Sequence, residues 1–170
     1  MVEYENLKTG ITVMRKDANS ESFSYSGKNL ILETDLEGIV TYANRRFVEA
    51  SGYSKEELIG LPHCVHMHPD MPVQIFKEAC KMTSSGKTWN GYARNIAKDG
   101  TSYWSELSIQ PKLSSDQNEV VGFMAVRREP DSSELPHVML EYDKLKNSDT
   151  GAIKSQYCGE VYMGRGACNF

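Results

Sequence analysis

The chain has 170 residues, of which 39% are hydrophobic and 25% charged, a composition that supports a globular core and excludes global disorder. Its net charge is −4 and its basic residues form no stripe, so nothing electrostatic indicates binding to nucleic acid or to an acidic membrane. The sequence has no apolar run of about 18 residues, and its N-terminus lacks the pattern of a signal peptide. The four cysteines form no CxxC pair, which favours a reduced, cytoplasmic setting.

The first predicted elements are a polar N-terminal segment and a β-hairpin. Residues 1–27 become serine-rich toward their end, and we expect them to form a loosely docked cap. Apolar runs at 30–34 and 39–43 flank a Glu-Gly pair, which is typical of two antiparallel strands joined by a tight turn.

Two short helices are predicted next. Asn44 is a suitable N-cap, and the apolar residues after it indicate a helix that ends at Gly52. Ser54 and Glu57 lie three positions apart, which is the pattern of a capping box. They predict a second short helix that ends at Gly60.

The stretch HCVHMHPDMP, residues 63–72, combines three histidines with a cysteine and an aspartate. Such a run fits a metal site, a haem-ligating site or the wall of another cofactor pocket. Pro72 predicts the start of a longer helix that ends near Gly86, and Asp70 is placed to cap it.

Three further strands are expected in 88–100, 101–113 and 118–129, with a hairpin turn at Lys-Asp-Gly. An amphipathic helix follows Pro130, and the last twenty residues have the weak pattern of a loop. The predicted fold is α+β, with a five-stranded antiparallel sheet and short helices over one face. A cavity between these two layers is a natural ligand site.

This order of elements, together with the segment TYANRRFVEASGYSKEELIG, resembles the PAS family of sensor domains. The motif HPDMP, followed at the right separation by GKTWNGYARNIAKDGTSYW, resembles one subgroup, the FAD-binding PAS domains of bacterial aerotaxis receptors. The resemblance runs from about Leu30 to Arg128. It implies a PAS sensor domain at 28–130, an N-terminal extension at 1–27, and a helical extension and tail at 131–170.

The resemblance also implies non-covalent binding of FAD, sensing of redox state or oxygen, and no enzymatic activity. The family's cofactor-contacting positions match Asn44, His68, Asp70, Phe76 and Trp89 in this chain.

Three other side chains bear on the same site. Trp104 and Tyr92 could add aromatic surface to the cofactor site. Met67 stands where the family usually has an arginine. That change removes a cation that could meet a flavin or phosphate oxygen.

Several alternatives remain open at this stage. A haem-binding gas sensor would take its ligand from His66 or His68, FMN could replace FAD, and a cofactor-free PAS domain could serve only to dimerise. Asn44 could simply cap a helix, Phe76 could be core, and Trp104 could only pack. Zinc is disfavoured because no second cluster of ligands completes a tetrahedral set.

Two further functions are disfavoured on sequence grounds. Cys64 lies near the reactive position of light-sensing LOV domains, but the surrounding LOV signature is absent. No motif of a hydrolase, a P-loop NTPase or a zinc protease is present in the sequence. We therefore expect a sensor whose output passes through the strand at 119–128 and the segment after Pro130, to a homodimer partner or a downstream signalling domain.

Overall fold

The predicted antiparallel sheet is present in the computed structural model, which describes residues 1–27 and 29–148. The predicted loop in the last twenty residues lies outside this range. The strands are β1 (Val2–Glu5), β2 (Thr12–Arg15), β3 (Leu30–Thr34), β4 (Val40–Ala43), β5 (Trp89–Ile96), β6 (Ser102–Leu113) and β7 (Val120–Arg128). The helices are α1 (Arg45–Ser51), α2 (Lys55–Leu58), a 3₁₀ turn (His63–His66), α3 (Val73–Ser84) and α4 (Leu135–Ser148).

The main sheet has the strand order β4-β3-β7-β6-β5, and every neighbouring pair is antiparallel. The last strand, β7, therefore lies in the centre and joins the two hairpins. The turn between β5 and β6 needs a glycine, since a Cβ on Gly100 would lie 2.2 Å from the carbonyl oxygen of Asp17. The predicted α+β fold with a five-stranded antiparallel sheet is confirmed.

The predicted caps of the two short helices are present. The side chain of Asn44 accepts a hydrogen bond from the Phe47 amide, and Ser54 and Glu57 form the reciprocal capping box. The prediction that Asp70 caps the long helix is wrong. The cap position of α3 is Pro72, whose fixed φ starts the helix without any side-chain hydrogen bond.

The prediction of a loosely docked N-terminal segment is also wrong. The amide of Asn6, which is fully buried, donates to the carbonyls of Glu57 and Ile59, both at 2.9 Å. Arg15 donates to the carbonyl of Val65 at 3.0 Å. These polar side chains satisfy carbonyls at the ends of short helices, so a polar composition here accompanies tight docking.

Successive side chains along each strand point to opposite sides, so the sheet has two distinct faces. The inner face carries Leu107 and Arg127 and lies under α3, while the outer face carries Trp104 and is covered in part by α4. Within the described part of the chain, no helix is long and apolar enough to cross a membrane.

Candidate functional site

A largely apolar cavity lies between α3 and the inner face of the sheet. Its apolar wall comes from α3 and from strands β3, β5, β6 and β7, because apolar side chains at alternate strand positions face the helix. The residues of this wall include Leu32, Ile75, Phe76, Ala79, Trp89, Ala93, Leu107, Ile109, Phe123 and Ala125.

The indole of Trp89 is part of the cavity wall and lies over Gly91, the next residue on the same face of β5. A Cβ on Gly91 would come within 2.4 Å of Cη2 and Cζ2 of the indole. Trp89 is only 4% exposed. The missing side chain of Gly91 thus lets the indole lie against the strand and present aromatic surface to the cavity.

One end of the cavity is polar, and Arg127 on β7 is its central residue. Its side chain is buried, and its Nε donates to Oδ1 of Asn95 at 3.2 Å. Its Nη2 lies 2.6 Å from Nε2 of His66, and the guanidinium carbon lies 5.3 Å from the centre of the Phe47 ring.

The remaining donor, Nη1 of Arg127, is buried and has no hydrogen-bond partner among the described residues. No ion pair in residues 1–27 and 29–148 includes Arg127. Burial lowers the pKa of the guanidinium. A buried cation without a carboxylate is costly in an apolar cavity, so the arrangement favours a ligand that is anionic or rich in acceptors.

His66 is the second polar residue of this end and closes the 3₁₀ turn. Its ring is 2% exposed and meets the Phe47 ring edge-on at 5.4 Å. A guanidinium can only donate, so Nε2 of His66 is the acceptor and the neutral ring carries its hydrogen on Nδ1. That Nδ1 is also buried and without a partner among the described residues.

The electrostatics keep both cavity histidines neutral at ordinary pH. Burial and the Arg127 charge lower the pKa of His63 to about 4. Burial, followed by the charges of Arg127, His63 and Arg15, holds the pKa of His66 well below its usual range. The His63 ring stacks on Phe76 with 5.5 Å between ring centres, which connects the 3₁₀ turn to α3.

Three of the seven predicted site residues line the cavity: Met67, Phe76 and Trp89. Asn44 does not, and its side-chain amide bonds instead to three backbone groups. It donates to the carbonyl of Asn29 and accepts from the amides of Ile31 and Phe47. In this arrangement Asn44 ties the start of α1 to β3.

His68 also lies outside the cavity lining. Its Nδ1 accepts from the backbone amide of Asp70 at 3.1 Å, and burial, followed by the Arg94 charge, lowers its pKa to about 4. The carboxylate of Asp70 forms ion pairs with Lys146 at 2.6 Å and with Arg94 at 3.6 Å. These contacts connect residues 68–70, here called the HPD loop, to the C-terminal helix α4 and to β5.

Trp104 faces away from the cavity. It occupies the outer face of β6 and packs against Tyr142 of α4, with ring centres 5.8 Å apart. The hydroxyl of Tyr142 also donates to the carbonyl of Tyr92, and the hydroxyl of Tyr92 donates to Glu134. Tyr92 is also one of the residues that line the cavity. Tyr92 and Trp104, at even-numbered positions of β5 and β6, thus contact α4 and the residue just before it.

Two polar residues of the site, Arg127 and Asn95, were not predicted, and His66 was considered only as a haem or metal ligand. Arg127 could have been found from strand parity, since it follows Phe123 and Ala125 at alternate positions of an apolar strand. The adjacent Arg128 made this parity harder to recognise, because two consecutive arginines at the end of a strand are usually both solvent-exposed. No pattern in the sequence indicates that His63 and His66 border the cavity while His68 does not.

A metal site was one of three uses that the composition of residues 63–72 fits, and it was disfavoured on sequence grounds. Across residues 1–27 and 29–148, no group of three histidine, cysteine, aspartate or glutamate side chains is placed to hold a metal ion.

Comparison with known proteins gives a family match and several relatives. The family model described as "PAS fold" matches residues 40–127, just over half of the chain. The aerotaxis receptor of Escherichia coli (strain K12) is 33% identical over 121 residues, which cover 71% of this chain and 24% of the receptor. The nitrogen fixation regulatory protein of Klebsiella pneumoniae is 29% identical over 96 residues, which cover 56% of this chain and 19% of that protein. The chain thus spans a quarter or less of these two relatives.

Solved structures show the same fold. The light state of the blue-light photoreceptor Aureochrome1 LOV superposes with a TM-score of 0.58 at 19% identity, covering 67% of this chain and 91% of that chain. A PAS domain from Colwellia psychrerythraea gives a TM-score of 0.52 at 28% identity, covering 60% of this chain and 86% of that one.

Proposed function

Because the chain belongs to the PAS family, we propose that its cavity binds FAD non-covalently and that it senses redox state or oxygen through this cofactor. The observation that carries the proposal is the pair of unpartnered donors, Nη1 of Arg127 and Nδ1 of His66, at one end of an apolar cavity. The role that we propose for this site is binding and signalling, without a catalytic step on a substrate.

The residues present fit the isoalloxazine ring of a flavin. Such a ring has an apolar benzenoid part and a pyrimidine edge that carries several hydrogen-bond acceptors. Trp89 and Ile75 would contact the apolar part, while Arg127 and His66 would donate to the polar edge. A bound flavin would supply reversible uptake of electrons, and these side chains would bind it, orient it and exclude water from its polar edge.

Arg127 also compensates for the departure at Met67. The resemblance implies an arginine at that position, and its loss removes a cation from the loop. Met67 and Arg127 line the same cavity, so β7 supplies a guanidinium to the space that the loop residue borders. The proposed cofactor site therefore keeps a cation, on a different element.

Similarity to flavin-related proteins supports the choice of cofactor. One solved structure with a TM-score of 0.57 and 18% identity, covering 72% of this chain and 90% of that chain, concerns a flavin analogue in a light-oxygen-voltage domain. We propose FAD and not FMN because the motifs of this chain resemble those of the FAD-binding PAS domains of bacterial aerotaxis receptors. Haem is disfavoured because Nε2 of His66 lies 2.6 Å from a guanidinium, and His68 lies outside the lining.

Signal output would pass from the cavity through β7 and the HPD loop to α4. Met67 pairs with Asn95 in a β-bridge, and Asn95 bonds to Arg127. Asp70, three residues after Met67, holds Lys146 of α4. We propose that a homodimer partner or a downstream signalling domain receives this output.

The two tryptophans of the chain provide a matched test. An equilibrium titration of the protein with FAD is expected to give a dissociation constant that rises about tenfold or more in Trp89→Ala, since the indole forms cavity wall. The Trp104→Ala variant, which alters the opposite face, is expected to leave FAD affinity unchanged. Equal effects of the two substitutions, or no saturable binding to the unaltered protein, would contradict the proposal.

A further inference from the structure

His66 and Arg127 form a contact whose hydrogen-bond polarity is fixed by charge. The guanidinium donates from Nη2 to Nε2 of the imidazole across 2.6 Å. If Nε2 acquired a proton, two donors would face each other and the contact would break. The contact therefore exists only while His66 is neutral.

The surroundings of His66 all oppose its protonation. Arg127 lies on β7, Arg15 on β2, and His63 in the same 3₁₀ turn, with 6.3 Å between the two histidine ring centres. The neighbouring α1 contributes only the uncharged Phe47 ring, and β5 contributes the uncharged amide of Asn95, which holds Arg127. Among the described residues, no carboxylate acts on the pKa of His66. The imidazole is thus held neutral first by burial and then by a surplus of positive charge.

A negative charge arriving in the cavity would reverse this balance. An opposite charge within a few ångströms favours the charged form of a titratable group, and the effect is strong where water is excluded. Adding an electron to a flavin places such a charge on the polar edge that faces Arg127 and His66 in the proposed function.

We propose that His66 is the proton acceptor that is coupled to reduction of the cofactor. The inference rests on the proposed function and extends it to one residue. When a soluble one-electron reductant delivers an electron to the cofactor, His66 takes one proton from solvent at Nε2 and becomes an imidazolium. The N–H···N contact to Arg127 breaks, and Nη2 is released toward the cofactor. When a soluble one-electron oxidant takes the electron from the cofactor, His66 returns the proton to solvent and the contact to Arg127 forms again.

Loss of the contact between His66 and Arg127 would also affect contacts at the end of β5. Arg127 also binds Asn95, which pairs with Met67 directly before the HPD loop. Release of Nη2 therefore changes a side chain that is two contacts away from the loop carrying Asp70 and its ion pair with α4. His66 would act as the element that converts an electron into a rearrangement of protein contacts.

The test is a spectroelectrochemical titration of the FAD-loaded protein between about pH 6 and pH 8. With one proton per electron, the midpoint potential is expected to fall by about 59 mV for each tenfold decrease in proton concentration. In His66→Gln, the amide can still accept from Arg127 and donate to the cofactor but cannot titrate, so the potential is expected to become independent of pH. His68→Gln, which alters a buried imidazole outside the cavity lining, is the control and should retain the slope of the unaltered protein.

The possible results distinguish the proposed role of His66 from the proposed binding of FAD. An unaltered protein that binds FAD with a potential independent of pH overturns the role of His66 and leaves the proposed function in place. The same slope in the unaltered protein and in His66→Gln also overturns it, because another group then takes the proton. Failure to bind FAD at all, seen by absorption before any titration, overturns the proposed function and this inference together.

Discussion

The edge and the centre of the sheet each place an arginine at the border of the cavity, and the two charges are compensated to different degrees. At the edge, on β5, the guanidinium of Arg94 lies 3.6 Å from the carboxylate of Asp70, which also binds Lys146, and its Nη2 donates to Ser102 at 3.2 Å. At the centre, on β7, Arg127 is 4% exposed and has only neutral partners among the described residues. A compensated charge holds two parts of a fold together, while an uncompensated one marks a place for a ligand.

The largest expected effect comes from removing the inner charge. Arg127→Met should raise the dissociation constant for FAD by about 10- to 100-fold, since a hydrogen bond to a charged group contributes about 1.5–3 kcal/mol. Isothermal titration with FAD measures this change. Arg128→Met, at the adjacent exposed position of the same strand, is the control and should leave the affinity unchanged. An equal loss of FAD affinity in both variants would show that the buried charge of Arg127 has no special role in binding.

A smaller effect is expected from crowding the apolar wall of the cavity. Gly91→Ala places a methyl group 2.4 Å from the indole of Trp89, so the ring must swing into the cavity. We expect FAD affinity to fall about tenfold while the melting temperature changes little. Asn90→Ala, an exposed position on the same strand, is the control. Unchanged affinity in Gly91→Ala would show that the indole does not border the cofactor.

Acidification should destabilise the protein through its buried histidines. His63 and His68 have a pKa of about 4 in the folded protein, against about 6.5 when unfolded. Between these values the unfolded chain binds more protons, so the free energy of unfolding falls as pH drops from about 6.5 to 4, by up to about 1.4 kcal/mol per pH unit for each histidine.

Urea unfolding at several pH values measures this loss, and one isosteric variant isolates the contribution of His68. In His68→Asn, a side-chain oxygen can replace Nδ1 as the acceptor from the Asp70 amide, and the group no longer titrates. The variant should show a shallower pH dependence than the unaltered protein. The same steepness in both would exclude His68 as a source of the acid sensitivity.

The smallest effect is expected at the ion pairs of Asp70. Asp70→Asn weakens the contacts to Lys146 and Arg94, which are partly exposed, so the free energy of unfolding should fall by less than about 1 kcal/mol. Hydrogen exchange should nevertheless become faster in α4 and stay unchanged in β6. At about 1 M salt the difference in exchange should vanish, because exposed charges are then screened. Faster exchange throughout the sheet would show that Asp70 supports the whole fold.

The fold could be predicted because the main local signals, apart from the expected Asp70 cap, agreed with the final structure. The capping pattern of Ser54 and Glu57, the Asn44 cap and the alternating apolar strands all correspond to features of the structure. Resemblance added Phe76 and Trp89 as candidate cofactor contacts, and both residues line the cavity. The docking of residues 1–27 could not be predicted, because the contacts of Asn6 and Arg15 are long-range bonds from polar side chains to backbone carbonyls.

The polar end of the cavity was hidden for a different reason. Arg127, His66 and Asn95 are polar residues on buried positions, where sequence patterns predict apolar side chains. Their pairing joins the 3₁₀ turn, β5 and β7, so it depends on the sheet order rather than on any local pattern. Trp104 illustrates the opposite error, because an aromatic residue next to a cavity strand lies on the other face.

The most direct test of the central claim is an absorption spectrum of the protein after incubation with FAD and gel filtration. The account predicts that flavin elutes with the protein in a ratio of one flavin to one chain, with absorption bands at about 450 nm. The account would be contradicted by a folded protein that elutes without flavin, or by a protein purified with a haem band at about 400 nm.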